Sequence, residues 1–472
     1  MRNGPQIVGA LVIAALLVLL AVMRPGYLSN VTYLGGLLML EVVLVSIWHY
    51  EKWFFAILMV TFLWAGSSLP LTNAAVAARW ILLAVGGFVG LMKWGARREK
   101  QSFSLIHLVA LLCVLSALVS GMVSSMAQLS LLKSSSLFLL FLYVSGGVRI
   151  AVADRAGASF RGLVTACQAL SFLSGFSYLA LGFSLFGNPN SLGAIMGVAI
   201  IPILAWGYLI SDDRIIRHRR MAALCVAGYL LVSSASRAGL FACAVTLTVM
   251  CLALHRGKLL VKAGVVLVFL ITLLGVVQPS RIDSLMSSVV EQVIYKGKAE
   301  QGLLGSRTSP WQDTIAVIKD SPWFGSGFGT DNIPGQIAGD STFRTIEGAN
   351  REHGSSYIEL LQFVGLVGAV PFVILLVLVM SQILRTCMLM RATGDPQNYA
   401  IPLAMLCLAG LLHAAFEDWL FATGYYLNLL FWTSAFLLSD LLPRRTNAAT
   451  FSAIALPRSG VSNSPIAVFV SE

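Results

Sequence analysis

Charged residues are scarce in this chain of 472 residues, at 11% of the total, whereas soluble domains carry about 25%. That scarcity excludes an ordinary soluble enzyme, and a hydrophobic content of 57% excludes a disordered chain. The seven cysteines form no CxxC pair, and no HExxH motif occurs, so neither a metal site nor another cofactor is expected. Despite a net charge of +11, basic residues are not interleaved with aromatics, so no nucleic-acid partner is expected.

Long apolar runs are what the sequence does contain. A helix needs about 20 mostly apolar residues to cross a bilayer, and fourteen stretches qualify as candidates. They lie at residues 7–23, 32–48, 53–68, 78–94, 103–122, 132–148, 162–183, 191–210, 221–234, 238–254, 259–278, 364–386, 399–415 and 420–440. Two of the runs are short. The sequence therefore predicts an all-α polytopic transmembrane bundle of about 12–14 spans with one large extracytoplasmic loop.

The distribution of basic residues predicts the orientation. With a cytoplasmic N-terminus, the inner loops hold 21 of the 32 Lys and Arg residues, and the short outer loops hold only Arg24, Arg79, Lys133 and Arg237. Short cytoplasmic loops are enriched in Lys and Arg, so both termini are predicted to be cytoplasmic. The long hydrophilic stretch then lies outside the membrane. Within it, Trp311–Ile318 is predicted to be a helix that starts at Pro310.

Five segments follow from this organisation. Transmembrane helices fill residues 1–184, a second transmembrane set fills 185–278, and the extracytoplasmic loop with short helices covers 279–356. C-terminal transmembrane helices occupy 357–445, and a cytoplasmic tail occupies 446–472. A loop as long as the third segment tends to be functional.

The unusual polar residues all fall on the predicted outer side. They are Asn188, Asn190, Arg237, Arg307, His353, Glu417 and Asp418. Arg237 is either a helix-end arginine that reaches the headgroups or a clamp for phosphate oxygens. Arg307 is either a solvated loop cation or a second such clamp. His353 joins the polar loop to an apolar helix, where an imidazole could take a proton from a hydroxyl. Glu417 and Asp418 could cap a helix or hold a sugar hydroxyl.

The order of these motifs resembles that of the O-antigen ligase and polymerase family of membrane glycosyltransferases, which includes exopolysaccharide polymerases. The matching features, clearest over about residues 185–440, are Asn188-Pro-Asn190, Ser236-Arg237, Gly305-Ser-Arg307 with Trp311, the glycine-rich aromatic segment 321–329 with Trp323, His353 with the helix from Tyr357, and Phe416-Glu417. The first five spans match only in hydropathy. Many members have Asn directly after the histidine, whereas this chain has Gly354.

The resemblance implies a bacterial inner-membrane glycosyltransferase that acts at the periplasmic face without a metal and with inversion. It would transfer or polymerise glycan units from an undecaprenyl-diphosphate-linked donor to a glycan or lipid acceptor, in O-antigen (lipopolysaccharide) or exopolysaccharide biosynthesis. Its catalytic residues would be His353, Arg307 and Arg237. Its substrate-binding residues would be Asn188, Asn190, Trp311, Trp323, Tyr357 and Glu417. Expected partners are the lipid bilayer and the polysaccharide export machinery.

Other functions stay open at this point. A polymerase is slightly favoured over a ligase, because nothing in the sequence points to a lipid A core as acceptor. The alternative class is a polytopic transporter or flippase of lipid-linked glycans. Transporters place ionisable residues near the membrane midplane, whereas the polar residues here collect at one face. A structural or sensor membrane protein is a further alternative.

Overall fold

The computed structural model describes residues 53–96, 104–153, 156–262, 264–265, 305–330 and 354–442. The helices used below are α1 Phe54–Ala65, α2 Thr72–Ala96, α3 Leu105–Val123, α4 Ala127–Leu142, α5 Val148–Ala153, α6 Ala156–Ala180, α7 Pro189–Ile195, α8 Ile201–Leu209, α9 Arg214–Ser233, α10 Arg237–Ala253, α11 Gly305–Asp320, α12 Ser356–Thr393, α13 Ala400–Ala414 and α14 Tyr426–Leu441. The predicted spans at 7–23 and 32–48, most of the span at 259–278, the tail at 446–472 and the residue His353 lie outside the described residues.

The described elements confirm the predicted polytopic helical membrane bundle. Six helical stretches in this part of the chain are long and apolar enough to cross a bilayer: Thr72–Gly90, Leu105–Val123, Ala127–Gly147, Ala156–Ala180, Pro189–Leu209 and Ser356–Thr393. Shorter apolar helices run over Phe54–Ala65, Arg237–Ala253 and Ala400–Ala414. Single π-helical turns at Tyr143–Gly147 and Met196–Ile200 join α4 to α5 and α7 to α8.

Capping residues set where several helices start. Asp213 accepts hydrogen bonds from the amides of Ile215 and Ile216, which fixes the start of α9. α12 ends at Gly394, whose φ of 63° is the left-handed conformation that closes helices. The loop helix predicted over Trp311–Ile318 is present as part of α11, but its predicted start at Pro310 is wrong. α11 begins five residues earlier, at Gly305, and Pro310 lies inside it.

Contacts between distant parts of the chain lie at the two ends of the helical bundle. At one end, Arg149 pairs with Asp440 and hydrogen-bonds His107 at 2.9 Å. We call this the Arg149 end. At the other, Ser356 donates to the carbonyl of Glu417 at 2.7 Å. We call this the Glu417 end.

The two ends agree with the predicted alternation of the spans. Residues predicted to share one side meet at the Arg149 end, as Trp206 does with the carbonyl of Pro396 at 2.8 Å. Residues predicted to share the other side meet at the Glu417 end, as the hydroxyl of Tyr426 does with the carbonyl of Ser191 at 3.1 Å. The helices therefore run up and down between two layers of contacts.

Candidate functional site

Arg237 opens α10 at the Glu417 end of the bundle. Ser236 caps the helix by accepting the amide of Gly239 at 3.3 Å. The turn before it is tight, because Ala235 adopts a positive φ of 50°. Ser234 and Ser236 are both buried. The buried turn therefore fixes the start of α10 and, with it, the backbone position of Arg237.

The element Asn188-Pro-Asn190 starts α7 beside that turn. The side-chain oxygen of Asn188 accepts the amide of Asn190 at 2.8 Å, and Pro189 takes the first helical position. One turn further on, Gly193 packs so closely that a Cβ atom there would lie 2.2 Å from the Cβ of Ser236. α7 and the Arg237 turn thus share a backbone contact that only glycine permits, and the Asn pair lies at the same end as Arg237.

The helix that follows His353 is anchored to the Phe416-Glu417 loop. The amide of Ser356 donates to the carbonyl of Glu417 at 3.1 Å, and the hydroxyl of Ser356 donates to the same oxygen. That hydroxyl also accepts the amide of Leu420 at 3.0 Å. Gly354, directly after the histidine, has a φ of 70°, which glycine adopts without strain and asparagine tolerates better than most other residues.

Two of the predicted regions also meet through aromatic side chains. Phe241, one turn into α10, makes an edge contact with Phe416 at 6.1 Å between ring centroids. α10 therefore reaches the loop that holds Ser356, three residues after His353. The structure brings together the segments that carry Arg237, Glu417 and the start of α12, while His353 itself lies outside the described residues.

The segment that carries Arg307 and Trp311 is helical throughout. Arg307 lies in the first turn of α11, and its side chain lies outside the described part of the structure. Trp311 is half-buried, and its indole Nε1 is enclosed without an acceptor among the described residues. α11 packs against α12, so the loop helix lies on the same helix that begins after His353.

α12 contains a break that the sequence analysis missed. Gly365 has a φ of 66° and a ψ of −176°, which separates a short first half-helix from a long apolar one. Such a break leaves the carbonyls before it and the amides after it without helical partners. In a membrane these groups need partners from elsewhere in the protein.

The glycine-rich aromatic segment supplies those partners. The amides of Ser326 and Gly327 donate to the carbonyls of Gln362 and Phe363 at 2.8 and 3.2 Å. On the other side of the break, the amide of Leu366 donates to the carbonyl of Pro322 at 2.8 Å, and that of Val367 to the carbonyl of Trp323 at 3.1 Å. We call this set of backbone hydrogen bonds the clamp.

Glycine is required on both sides of the clamp. A Cβ on Gly365 would lie 2.4 Å from the carbonyl carbon of Trp323, and one on Gly325 would lie 2.5 Å from that of Phe363. The segment therefore serves as a backbone seal for a broken helix. Trp323, predicted to bind substrate, contributes its carbonyl to the clamp, and its side chain is 62% exposed.

Serines on α3 and directly after it complete the clamp. Ser116 and Ser120 share one face of α3, and Ser124, four residues further on, is the first residue after the helix. Their hydroxyls donate to the carbonyls of Gly368, Phe363 and Ser326, respectively. A serine every fourth residue in an apolar span was the sequence signal that could have revealed this partner.

Tyrosines form a further polar layer that the sequence analysis missed in part. Tyr357 donates to the carbonyl of Leu411 at 2.7 Å, so its hydroxyl holds α12 to α13. Tyr425 and Tyr426 share a hydrogen bond of 2.9 Å, and Tyr426 donates to Ser191 beside the Asn pair. Because the hydroxyl of Tyr426 donates to Ser191, the hydroxyl of Tyr425 is the donor in the bond between the two tyrosines.

Comparison with known proteins bears on the same part of the chain. Residues 221–373 match the family model described as O-antigen ligase. The predicted family resemblance is confirmed over this region. The matched segment contains Arg237, Arg307 and His353, together with the clamp and the first half-helix of α12. A search of curated proteins found no match to the chain.

The O-antigen ligase match covers some of the predicted site residues and not others. Asn188, Asn190 and Glu417 lie outside the matched segment, although the structure places them at the same end as Arg237. Within the described residues, no three His, Cys, Asp or Glu side chains are grouped as metal ligands would be. The family implies a ligase- or polymerase-type membrane activity on lipid-linked glycans.

Proposed function

We propose that this protein transfers glycan units from an undecaprenyl-diphosphate-linked donor to a glycan or lipid acceptor at the periplasmic face of the inner membrane. In this proposal the Glu417 end is periplasmic and both termini are cytoplasmic. The observation that carries it is the convergence at the Glu417 end: Arg237, the anchored start of α12 and Glu417 come together, and the O-antigen ligase match spans the first two.

The proposed chemistry is a direct displacement with inversion. The acceptor hydroxyl attacks the anomeric carbon of the donor sugar, and the bond from that carbon to the diphosphate oxygen breaks. His353 takes the proton of the hydroxyl, which typically contributes about 10²- to 10⁴-fold. The diphosphate leaves with the electron pair, and Arg237 and Arg307 stabilise its growing negative charge in place of a metal ion.

The described contacts support precise placement of the histidine. Ser355 caps α12 by accepting the amide of Tyr357, and Ser356 is held by the Glu417 loop. The clamp fixes the other end of the same half-helix at Gly365. These anchors fix the start of α12, three residues after the proposed base, and general base catalysis requires a precisely positioned base.

The remaining predicted residues take supporting roles in this proposal. Asn188 and Asn190 would contact glycan hydroxyl groups beside Arg237, and Trp311 would stack on a sugar ring. Glu417 would position Ser356 through its backbone and bind a sugar hydroxyl through its side chain. A polymerase is favoured slightly over a ligase, and contacts with polysaccharide export proteins belong to the same proposal.

The test is a reconstituted assay with purified protein and a lipid-linked oligosaccharide. We expect His353→Ala to lower the transfer rate by at least about 10²-fold, while membrane insertion is unchanged. His255→Ala at the Arg149 end is the matched control and should retain full activity. Arg237→Lys keeps the positive charge but loses the paired N–H donors of the guanidinium, so the transfer rate should also fall in this variant. Full transfer by His353→Ala would refute the base assignment, and an inactive wild-type protein with every lipid-linked glycan would refute the function.

A transporter of lipid-linked glycans is the second candidate, because broken helices are typical of transporter binding sites. The break at Gly365, however, lies near the end of α3 that carries Ser120 and Ser124, away from the middle of the bundle. Flipping of a fluorescent lipid-linked glycan in vesicles that contain the protein, with no transfer product, would favour the transporter.

A further inference from the structure

Arg79 is a cation at the Glu417 end that the proposed reaction does not use. It lies in α2, about two turns from the start of the helix, and its Nη1 donates to the carbonyl of Gly424 at 2.6 Å. Its guanidinium carbon lies 5.1 Å from the ring centre of Trp80 and 6.0 Å from that of Phe62. The side chain is thus held among aromatic rings in the apolar part of the bundle.

No carboxylate among the described residues forms an ion pair with Arg79. Its Nε is also buried and has no hydrogen-bond acceptor among the described residues. A charged group in this environment is costly unless it is paired, and such residues mark ligand or ion pathways in membrane proteins. The aromatic rings contribute weak attraction to the cation but do not neutralise its charge.

The backbone at Gly424 packs directly against the guanidinium of Arg79. Gly424 has a φ of 108°, and a Cβ there would lie 3.0 Å from the guanidinium carbon of Arg79. Gly424 is followed by the Tyr425–Tyr426 pair, which connects to Ser191 and so to the Asn188 element. Arg79 therefore lies at the same end of the bundle as the Asn188 element and Arg237.

We propose that Arg79 binds a phosphate group at the Glu417 end, as a second anion site beside the transfer site. Guanidinium is the protein cation best matched to phosphate oxygens, because it remains charged and offers a planar fork of donors. The phosphate belongs either to a second lipid-linked diphosphate, as the acceptor of a polymerase would carry, or to a bilayer phospholipid. The assignment to an acceptor rests on the proposed function, whereas the phosphate site itself does not.

The test measures binding by the full-length protein in a neutral detergent. The probes are undecaprenyl diphosphate, phosphatidylglycerol and, as an uncharged control, undecaprenol. The variants are Arg79→Gln and Arg79→Lys, with Arg391→Gln, an exposed arginine at the Arg149 end, as the matched control. Because one charge-assisted contact is lost, we expect Arg79→Gln to bind undecaprenyl diphosphate about tenfold or more weakly than wild type. Arg79→Lys should be intermediate and Arg391→Gln unchanged.

The outcomes separate the two sources and the two proposals. If phosphatidylglycerol shows the same dependence on Arg79 and displaces undecaprenyl diphosphate, the phosphate is that of the bilayer. If only the binding of undecaprenyl diphosphate depends on Arg79, the site binds the lipid carrier. Unchanged binding of both lipids by Arg79→Gln overturns the inference, even where glycan transfer by the wild type is robust. An Arg79-dependent binding signal without any glycan transfer would refute the proposed function and leave the phosphate site standing.

Discussion

Arg149 and Arg79 are two arginines enclosed in the same bundle at opposite ends. Arg149 is 5% exposed and forms a two-point ion pair with Asp440, with a further hydrogen bond to His107. Arg79 is half-buried and meets a backbone carbonyl and two aromatic rings, with no described carboxylate beside it. One cation is neutralised within the protein, and the other keeps its charge available.

The two ends therefore differ in how a buried or half-buried cation is accommodated. At the Arg149 end, Arg149 and Asp440 join two helices through side chains whose charges cancel. The Glu417 end is joined mainly through backbone carbonyls, as at Ser356 and in the clamp at Gly365. These backbone hydrogen bonds hold the start of α12 and the segment around Gly365 in place. Four substitutions probe this division, in order of decreasing effect on stability.

The largest loss of stability is expected for Arg149→Ala. Removal of one partner leaves the carboxylate of Asp440 uncompensated, which we expect to cost about 3 kcal/mol, since Asp440 is partly exposed. The free energy of unfolding in mixed micelles of increasing SDS content is the measurement. The double variant Arg149→Met/Asp440→Leu should regain most of the loss, because no unpaired charge remains. A double variant as unstable as the single one would contradict the ion-pair explanation.

The next largest loss is expected for Gly365→Ala, which attacks the clamp. The new Cβ would lie 2.4 Å from a backbone atom of Trp323 and 2.5 Å from one of Gly325, at a positive φ of 66°. Strain and overpacking together should cost about 2–3 kcal/mol, and glycan transfer should fall because the half-helix after His353 moves. Gly228→Ala, in open space on α9, is the matched control and should be neutral or slightly stabilising, because alanine favours the helix more than glycine does. Equal behaviour of the two variants in the same unfolding assay would argue against the clamp.

The fold was predictable from the sequence where apolar runs alone decide it. The predicted run at 191–210 became Pro189–Leu209, and that at 103–122 became Leu105–Val123, because hydropathy sets which residues enter the bilayer. The break at Gly365 was not predictable, since its partners lie about forty residues earlier, in the segment 322–327, and pair through the backbone. Arg79 was counted only as an outer cation, because no sequence pattern reveals that a charge lacks a counter-ion.

A smaller effect is expected for Ser120→Ala on α3. The substitution removes a buried hydroxyl that donates to the carbonyl of Phe363, at the edge of the clamp. We expect a loss of about 1 kcal/mol in the free energy of unfolding, as for a typical internal hydrogen bond. Ser135→Ala, whose hydroxyl bonds only within its own helix, is the control. Faster hydrogen exchange at the amides of Ser326 and Gly327, seen in Ser120→Ala and absent from the control, would link the loss to the clamp.

The smallest effect on stability is expected for Arg79→Gln, which is the sharpest test of the contrast with Arg149. The variant loses one hydrogen bond to the carbonyl of Gly424 but also removes a charge that no described carboxylate offsets. These effects oppose each other, so in ligand-free detergent the free energy of unfolding should change by no more than about 0.5 kcal/mol. Added undecaprenyl diphosphate should then stabilise the wild type more than the variant, because a ligand stabilises only the state that binds it. A loss as large as that of Arg149→Ala would instead make Arg79 a second structural cation, and the two ends would no longer differ in kind.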